Sequence, residues 1–201
     1  MTRRLDLAGA AAALRAGGIV AYPTETFYGL GALWSREEAL RRLARAKLRP
    51  EGKPLPLLAA DRAQVAEVAA GLGPLAERLA ARFWPGPLTL VLPAAPGVPE
   101  GVTGGTGTVG VRIPGSRTAR DLAAAAGGAL VSTSANLSGG RPPVDPSEID
   151  PEILARIDGV LDAGPAPGGL ASTVVEVGEG APRLLRAGAV PWEAIREALD
   201  G

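Results

Sequence analysis

The sequence predicts an α/β fold: one domain over residues 1–201, built on a mixed sheet with helices packed around it. Three observations carry that expectation. Amphipathic helical segments alternate with short apolar, strand-like runs along the chain. No internal repeat and no linker divides it into halves. The composition, 46% hydrophobic but only 3% aromatic, supplies a core of Ala, Leu, Val and Ile that is large enough at this length.

The elements follow in order. Asp6 is placed to cap a helix that ends at Gly17-Gly18, and the strand IVAYP comes next. If that strand runs on through AYPTETFYGLGA, Thr24, Thr26 and Tyr28 share one face while Glu25 and Phe27 take the other. Ser35, with Glu38 three residues on, reads as a capping box opening a helix through about Ala46. PLPLLAA is a short buried strand, Asp61 caps the next helix, and Pro74 suits the first turn of LAERLAARFW. After Pro85-Gly86-Pro87 come the strand TLVLP, a Gly/Thr/Pro-rich loop from Ala94 to Gly107, and the strand TVGVRIP. Ser116 caps a helix to about Ala126, and the strand ALVST enters the polar loop SANLSGGRPP. A short helix near Ser147–Arg156, the strands GVLDAG, STVVEV and RLLRA, and a terminal helix after Pro191 complete the chain.

Composition excludes several chemistries. With no cysteine and no histidine, the chain has no disulfide scaffold, no thiolate or imidazole metal site and no histidine-activated nucleophile. Catalysis must rest on hydroxyls, carboxylates, lysine, arginine, backbone amides or a borrowed magnesium ion. Its 21 basic and 21 acidic side chains cancel, so any nucleic-acid contact must be local. The N-terminal apolar run is interrupted by Asp6 and Arg15, and no stretch approaches the ~20 apolar residues of a membrane span. The expected location is therefore cytoplasmic, with no membrane partner.

Five polar motifs stand out. In ARAKLRPEGKPLPLL, Lys47 and Arg49 leave a helix end together and Lys53 follows; these cations complement a helix dipole or form an anion site. Lys47 and Lys53 are the only lysines in the chain, which favours the anion site. FWPGPLTLVL reads as a rigid structural corner. In GTGTVGVRIPG, Thr108 and Arg112 share a strand face, and an arginine between Val111 and Ile113 needs either a core ion pair or an anion. In STSANLSGG, Ser132, Ser134 and Asn136 alternate onto one face before a turn that is either an anion nest or an ordinary polar loop. Ser172 opens one strand and Arg186 closes another, and singly they carry little.

Together these segments resemble the YrdC-like family of threonylcarbamoyl-adenylate synthases. The matching pieces are GGIVAYPTETFYGLGA, the KxRP of LRRLARAKLRP, FWPGPLTLVL, TVGVRIP, STSANLSG, ASTVVEV and RLLRAGAV, in the family's order from about Leu5 to Val190. The resemblance implies an open, twisted mixed sheet flanked by helices, with a concave, positively lined site. It implies a reaction in which L-threonine, bicarbonate and ATP give L-threonylcarbamoyladenylate and pyrophosphate. A downstream transferase then carries the threonylcarbamoyl group to the adenosine beside the anticodon of tRNA, and a weak contact of tRNA with this chain is compatible with that role.

By analogy, Lys47 and Arg49 hold the ATP phosphates as the catalytic cations, with Lys53 nearby, and Thr108, Ser134 and Arg186 also contact the nucleotide. Thr24, Thr26, Arg112, Ser132 and Ser172 seat the threonine, Arg112 as its carboxylate clamp. Tyr28 supports the same wall, Asn136 braces the Ser134 loop, and Glu25 is a structural partner of a nearby cation. Magnesium arrives with ATP, not in a protein cage. Two departures stand out: many longer members carry asparagine at Lys53 and a histidine near Leu58, and they append a second C-terminal domain, so the chain reads as the short form. A non-catalytic RNA-binding module is the first alternative, disfavoured by zero net charge and few aromatics. A carbamoyl-transfer paralogue of the same fold is the second, disfavoured because no acylphosphatase-like or zinc-finger region accompanies it.

Overall fold

In a computed structural model, which describes residues 3–48, 52–178 and 180–200, the strands run β1 (Arg4–Leu5), β2 (Val20–Pro23), β3 (Tyr28–Leu33), β4 (Leu57–Leu58), β5 (Leu88–Pro93), β6 (Thr108–Arg112), β7 (Leu130–Ser134), β8 (Gly159–Leu161), β9 (Thr173–Glu176) and β10 (Arg183–Arg186). The helices are α1 (Leu7–Arg15), α2 (Glu37–Ala46), α3 (Arg62–Val68), α4 (Pro74–Phe83), α5 (Glu100–Thr103), α6 (Arg117–Ala126), α7 (Pro151–Leu154) and α8 (Trp192–Asp200). All strands join one sheet in the order β1-β8-β2-β3-β7-β4-β6-β5-β9-β10. Parallel pairs (β1–β8, β8–β2, β4–β6, β5–β9) are mixed with antiparallel ones (β2–β3, β3–β7, β7–β4, β6–β5, β9–β10), as the alternating sequence pattern predicts.

Local sequence explains most boundaries. Asp6, Asp61 and Ser116 each accept a hydrogen bond from a backbone N–H in the first turn of α1, α3 and α6, and Pro74 opens α4. The expected Ser35 capping box does not form. Helix α2 starts at Glu37 after Arg36 with no side-chain cap, because Arg41 draws the Glu38 carboxylate (Nε–Oε2 3.0 Å) along the helix and away from Ser35. The loop from Ala94 to Gly107 contains the short α5, and the segment expected as one helix near Ser147–Arg156 divides into a 3-10 turn, Pro146–Glu148, and α7.

The sheet separates two apolar layers. On one face, Leu30, Leu57, Leu90, Val111, Val131 and Val175 meet α2, α4, α7 and α8 in the larger core. On the other, α1 and α6 pack together over β8, β2, β3 and β4, burying Leu14, Val20, Tyr22, Leu58 and Leu122. Beyond β4 this second face changes character: Thr108, Gly110, Val91, Val174 and Glu176 are only half-buried. That transition positions the site.

Candidate functional site

Where the α1/α6 layer stops, a cavity of about 300 Å³ opens between the β2–β3 turn, β7, the end of β6 and the segment before β9. Its lining includes Thr24, Thr26, Tyr28, Arg112, Ser132, Ser134, Ser172 and Arg186. Eight residues from five separate motifs thus converge. Among the described residues the lining contains two arginines and no acidic side chain.

The threonines arrive by a different geometry from the expected one. The strand does not run through them; β2 ends at Pro23, β3 begins at Tyr28, and Thr24–Phe27 form the connecting turn. Thr24 Oγ1 accepts from the N–H groups of Thr26 and Phe27 (3.2 Å each) and donates to the Phe27 carbonyl (2.8 Å). A threonine hydroxyl competes for backbone partners in just this way and so breaks the strand. The turn brings the Thr24 and Thr26 hydroxyls within 3.1 Å of each other, both buried. Behind them Gly29 allows close approach, since a Cβ there would lie 3.1 Å from Ser132 Oγ.

Each arginine is fixed by a neighbour. Arg112, 6% exposed, donates from Nε to Glu25 Oε1 at 3.1 Å. The two readings left open for Arg112 are therefore compatible: an ion pair at Nε, and a fork on the cavity wall. Arg186 donates from Nε and Nη2 to the Ser172 carbonyl (3.1 and 2.7 Å) and from Nη2 to Ser172 Oγ (2.9 Å). Thr89 Oγ1 lies 3.1 Å from the same serine oxygen. Burial first, and then the nearby Arg112 guanidinium, lower the pKa of Arg186. Two like charges held close by fixed partners favour an anion between or above them.

Of the other expected residues, Lys47, Asn136, Thr108 and Lys53 lie outside that lining. Lys47, 3% exposed, directs its ammonium to the backbone carbonyls of Ser134 and Asn136, while its own carbonyl accepts from Ser138 N (3.2 Å) and Oγ (3.0 Å). It is a strut between the end of α2 and the Ser134–Gly140 loop and does not line the cavity, because loop carbonyls compete for its three donors. Asn136 donates from Nδ2 to Leu137 O and Gly140 O (2.7 and 2.8 Å), closing that loop. Thr108 stands four residues from Arg112, about 13 Å along an extended strand, and its hydroxyl pairs with that of Thr106 at 2.9 Å. Lys53 borders a separate cavity of about 760 Å³ between α2 and α5, with Arg41, Arg45 and Glu100. Arg49 lies outside the described residues. Tyr28 directs its hydroxyl to Gly164 O (2.7 Å), and burial, with Asp162 nearby, pushes its pKa up to about 12.

Sequence reasoning missed Phe27, Gly29, Pro56, Pro142 and Ala171 in the wall, whose types advertise no chemistry, and Thr133, a hydroxyl between Ser132 and Ser134. It also missed Thr89, although a lone threonine between Leu88 and Leu90 on the non-core face of β5 was a legible signal. Among the described residues there is no group of three or more acidic side chains able to hold a metal ion, and no helix long and apolar enough to cross a membrane.

Residues 12–188 match the Sua5/YciO/YrdC family, described as "Telomere recombination". The chain is 40% identical over 190 residues to a threonylcarbamoyl-AMP synthase of Pyrococcus abyssi, covering 94% of this chain and 56% of that relative. It is 43% identical over 171 residues to one from Stenotrophomonas maltophilia, covering 84% of this chain and 91% of the relative. The solved P. abyssi Sua5 complexed with L-threonine matches with a TM-score of 0.92 at 40% identity, over 96% of this chain and 57% of that one. E. coli YciO matches with a TM-score of 0.84 at 27% identity, over 94% of this chain and 92% of that one. The chain thus spans 56–57% of the length of its P. abyssi and Bacillus subtilis relatives. In matched span, identity and sheet architecture alike, the chain belongs to the Sua5/YciO/YrdC family.

Proposed function

We propose that the chain makes L-threonylcarbamoyladenylate and pyrophosphate from L-threonine, bicarbonate and ATP, and that a downstream transferase passes the threonylcarbamoyl group to tRNA. The observation that carries this reading is the cavity that joins two pinned guanidiniums to the Thr24, Thr26, Ser132 and Ser134 hydroxyls, with no carboxylate among the described residues of its lining. At about 300 Å³ it is at the small end of ligand pockets, the size class of an amino acid and not of a nucleoside triphosphate. Relatives bearing the threonylcarbamoyl-AMP synthase name and a related structure complexed with L-threonine support the assignment.

In this reading the Arg112 fork takes the threonine carboxylate and the hydroxyls surround its polar side. The threonine amine, once neutral, adds to the carbon of CO₂ released from bicarbonate, giving a carbamate. A carbamate oxygen then attacks the α-phosphorus of ATP and pyrophosphate leaves. Both reactants are anions, so the protein's task is to suppress repulsion and hold an in-line geometry. Arg186 faces the incoming phosphates, and the triphosphate extends from the cavity over the half-buried face near Thr108 and Gly110. Magnesium enters as part of the MgATP substrate.

The test is mass spectrometry of the products after mixing protein, MgATP, L-threonine and bicarbonate. Threonylcarbamoyl-AMP is the expected product, dependent on all three substrates. Arg112→Ala is expected to abolish calorimetric threonine binding. No adduct from wild-type protein, beside an active control enzyme, overturns the proposal.

A further inference from the structure

The geometry points to Glu25 as a positioning residue that aims the Arg112 fork into the cavity. This rests on reading that cavity as the threonine site. Glu25 is not among the cavity-lining residues. It belongs to the turn that carries Thr24 and Thr26, and its side chain is 15% exposed against 7% for the Arg112 side chain. Its Oε1 takes the Arg112 Nε–H at 3.1 Å, while its Oε2 is buried and has no hydrogen-bond partner among the described residues. Among the described residues no acceptor bonds Arg112 Nη1 or Nη2, although Arg112 lines the cavity. One edge of the guanidinium is therefore fixed and the fork is left to a ligand. Because the group is planar, fixing Nε fixes the direction in which the fork points.

This arrangement joins two parts of the site in one contact. The turn that places the two threonine hydroxyls also orients the guanidinium, across 87 residues of sequence. An alternative role for Glu25 is as a counter-charge that merely offsets Arg112 and Arg186. The two roles predict opposite signs. Removing a counter-charge leaves the positive potential of both arginines uncompensated and tightens anion binding. Removing a positioning group lets the fork swing and weakens it.

The experiment uses the full chain with Glu25→Ala and Glu25→Gln, measuring L-threonine and a non-hydrolysable ATP analogue by calorimetry and the Arg112 Nε–Hε resonance by ¹⁵N NMR. Glu25→Ala is expected to weaken threonine binding about tenfold to a hundredfold, the worth of one charge-assisted hydrogen bond, with ATP-analogue affinity unchanged and the protected Nε–Hε signal lost. Glu25→Gln keeps an oxygen acceptor and is expected to recover most of the threonine affinity and the signal. Unchanged or tighter threonine binding in Glu25→Ala, equal losses for threonine and nucleotide, or a Glu25→Gln variant as weak as Glu25→Ala each overturn the inference. Failure of wild-type protein to bind threonine instead overturns the functional reading. The resonance then still decides, on its own, whether Glu25 holds Arg112.

Discussion

Replacing Gly188 by alanine tests how tightly the Arg186 anchor is built. A Cβ at Gly188 would lie 2.3 Å from the Ala171 carbonyl oxygen and 2.6 Å from both Ser172 C and Thr173 N. All three are backbone atoms, and Ala189 N already donates to the same Ala171 carbonyl at 2.9 Å. Ordinary contact begins at 3.4 Å, so the Ala171–Thr173 segment must move by about 1 Å. That movement exceeds what the Ser172 contacts to Arg186, at 2.7–3.1 Å, tolerate. Overpacking costs about 1–3 kcal/mol, and loosening a charge-assisted hydrogen bond adds about 1.5–3 kcal/mol. Together they come to about 2.5–6 kcal/mol, which lowers the melting temperature by about 5–24 °C for a chain of this size. Gly178→Ala is the control: among the described residues nothing lies within 4 Å of its Cβ position and its φ is not positive, so it is neutral or stabilising. Differential scanning calorimetry of the two variants reads the difference, and nucleotide binding falls only in Gly188→Ala. If the two variants melt together, the contact reasoning fails.

Three further outcomes follow from the same geometry. Lys47→Met removes the ammonium from the Ser134 and Asn136 carbonyls while keeping the stem; amide exchange at Ser138 and Gly140 is expected to accelerate at least about tenfold, and unchanged protection would show that the ammonium is not a strut. Arg186→Lys exchanges a guanidinium with three contacts to Ser172 for a point charge; nucleotide affinity is expected to fall about tenfold by calorimetry, and an unchanged value counts against Arg186 as a phosphate contact. Burial raises both tyrosines, Tyr22 and Tyr28, to about 12, so tyrosinate absorbance at 295 nm should appear in the native protein near pH 12. In the unfolded chain they ionise near ~10, so the stability they contribute is complete below that pH and is lost as pH rises toward 12. Absorbance rising near pH 10 in folded protein would refute the burial account.

Local signals in the sequence determined much of the fold. Asp6, Asp61, Ser116 and Pro74 set helix starts because a cap or a fixed φ acts within one turn of chain. Apolar periodicity marked the strands, and the order of the polar motifs marked the family. Ser35 shows the limit of such signals: the capping box failed because Glu38 had a competing partner one turn ahead.

What the sequence could not decide was where polar side chains point once distant segments meet. Thr24 and Thr26 satisfy strand alternation on paper, but their hydroxyls take backbone partners and make a turn. Lys47 reads as half of a cation pair with Arg49, at a helix end or an anion site, and the fold sets its ammonium against carbonyls 87 and 89 residues away. Thr108 and Arg112 share a strand face but not a cavity, since alternation fixes direction and not distance. Glu25 and Arg112 meet only because the sheet brings the β2–β3 turn against the end of β6. Caps and periodicity act over a few residues and are written in order along the chain. Convergence of charges depends on sheet order and on the end of the α1/α6 layer, and only the folded molecule fixes those.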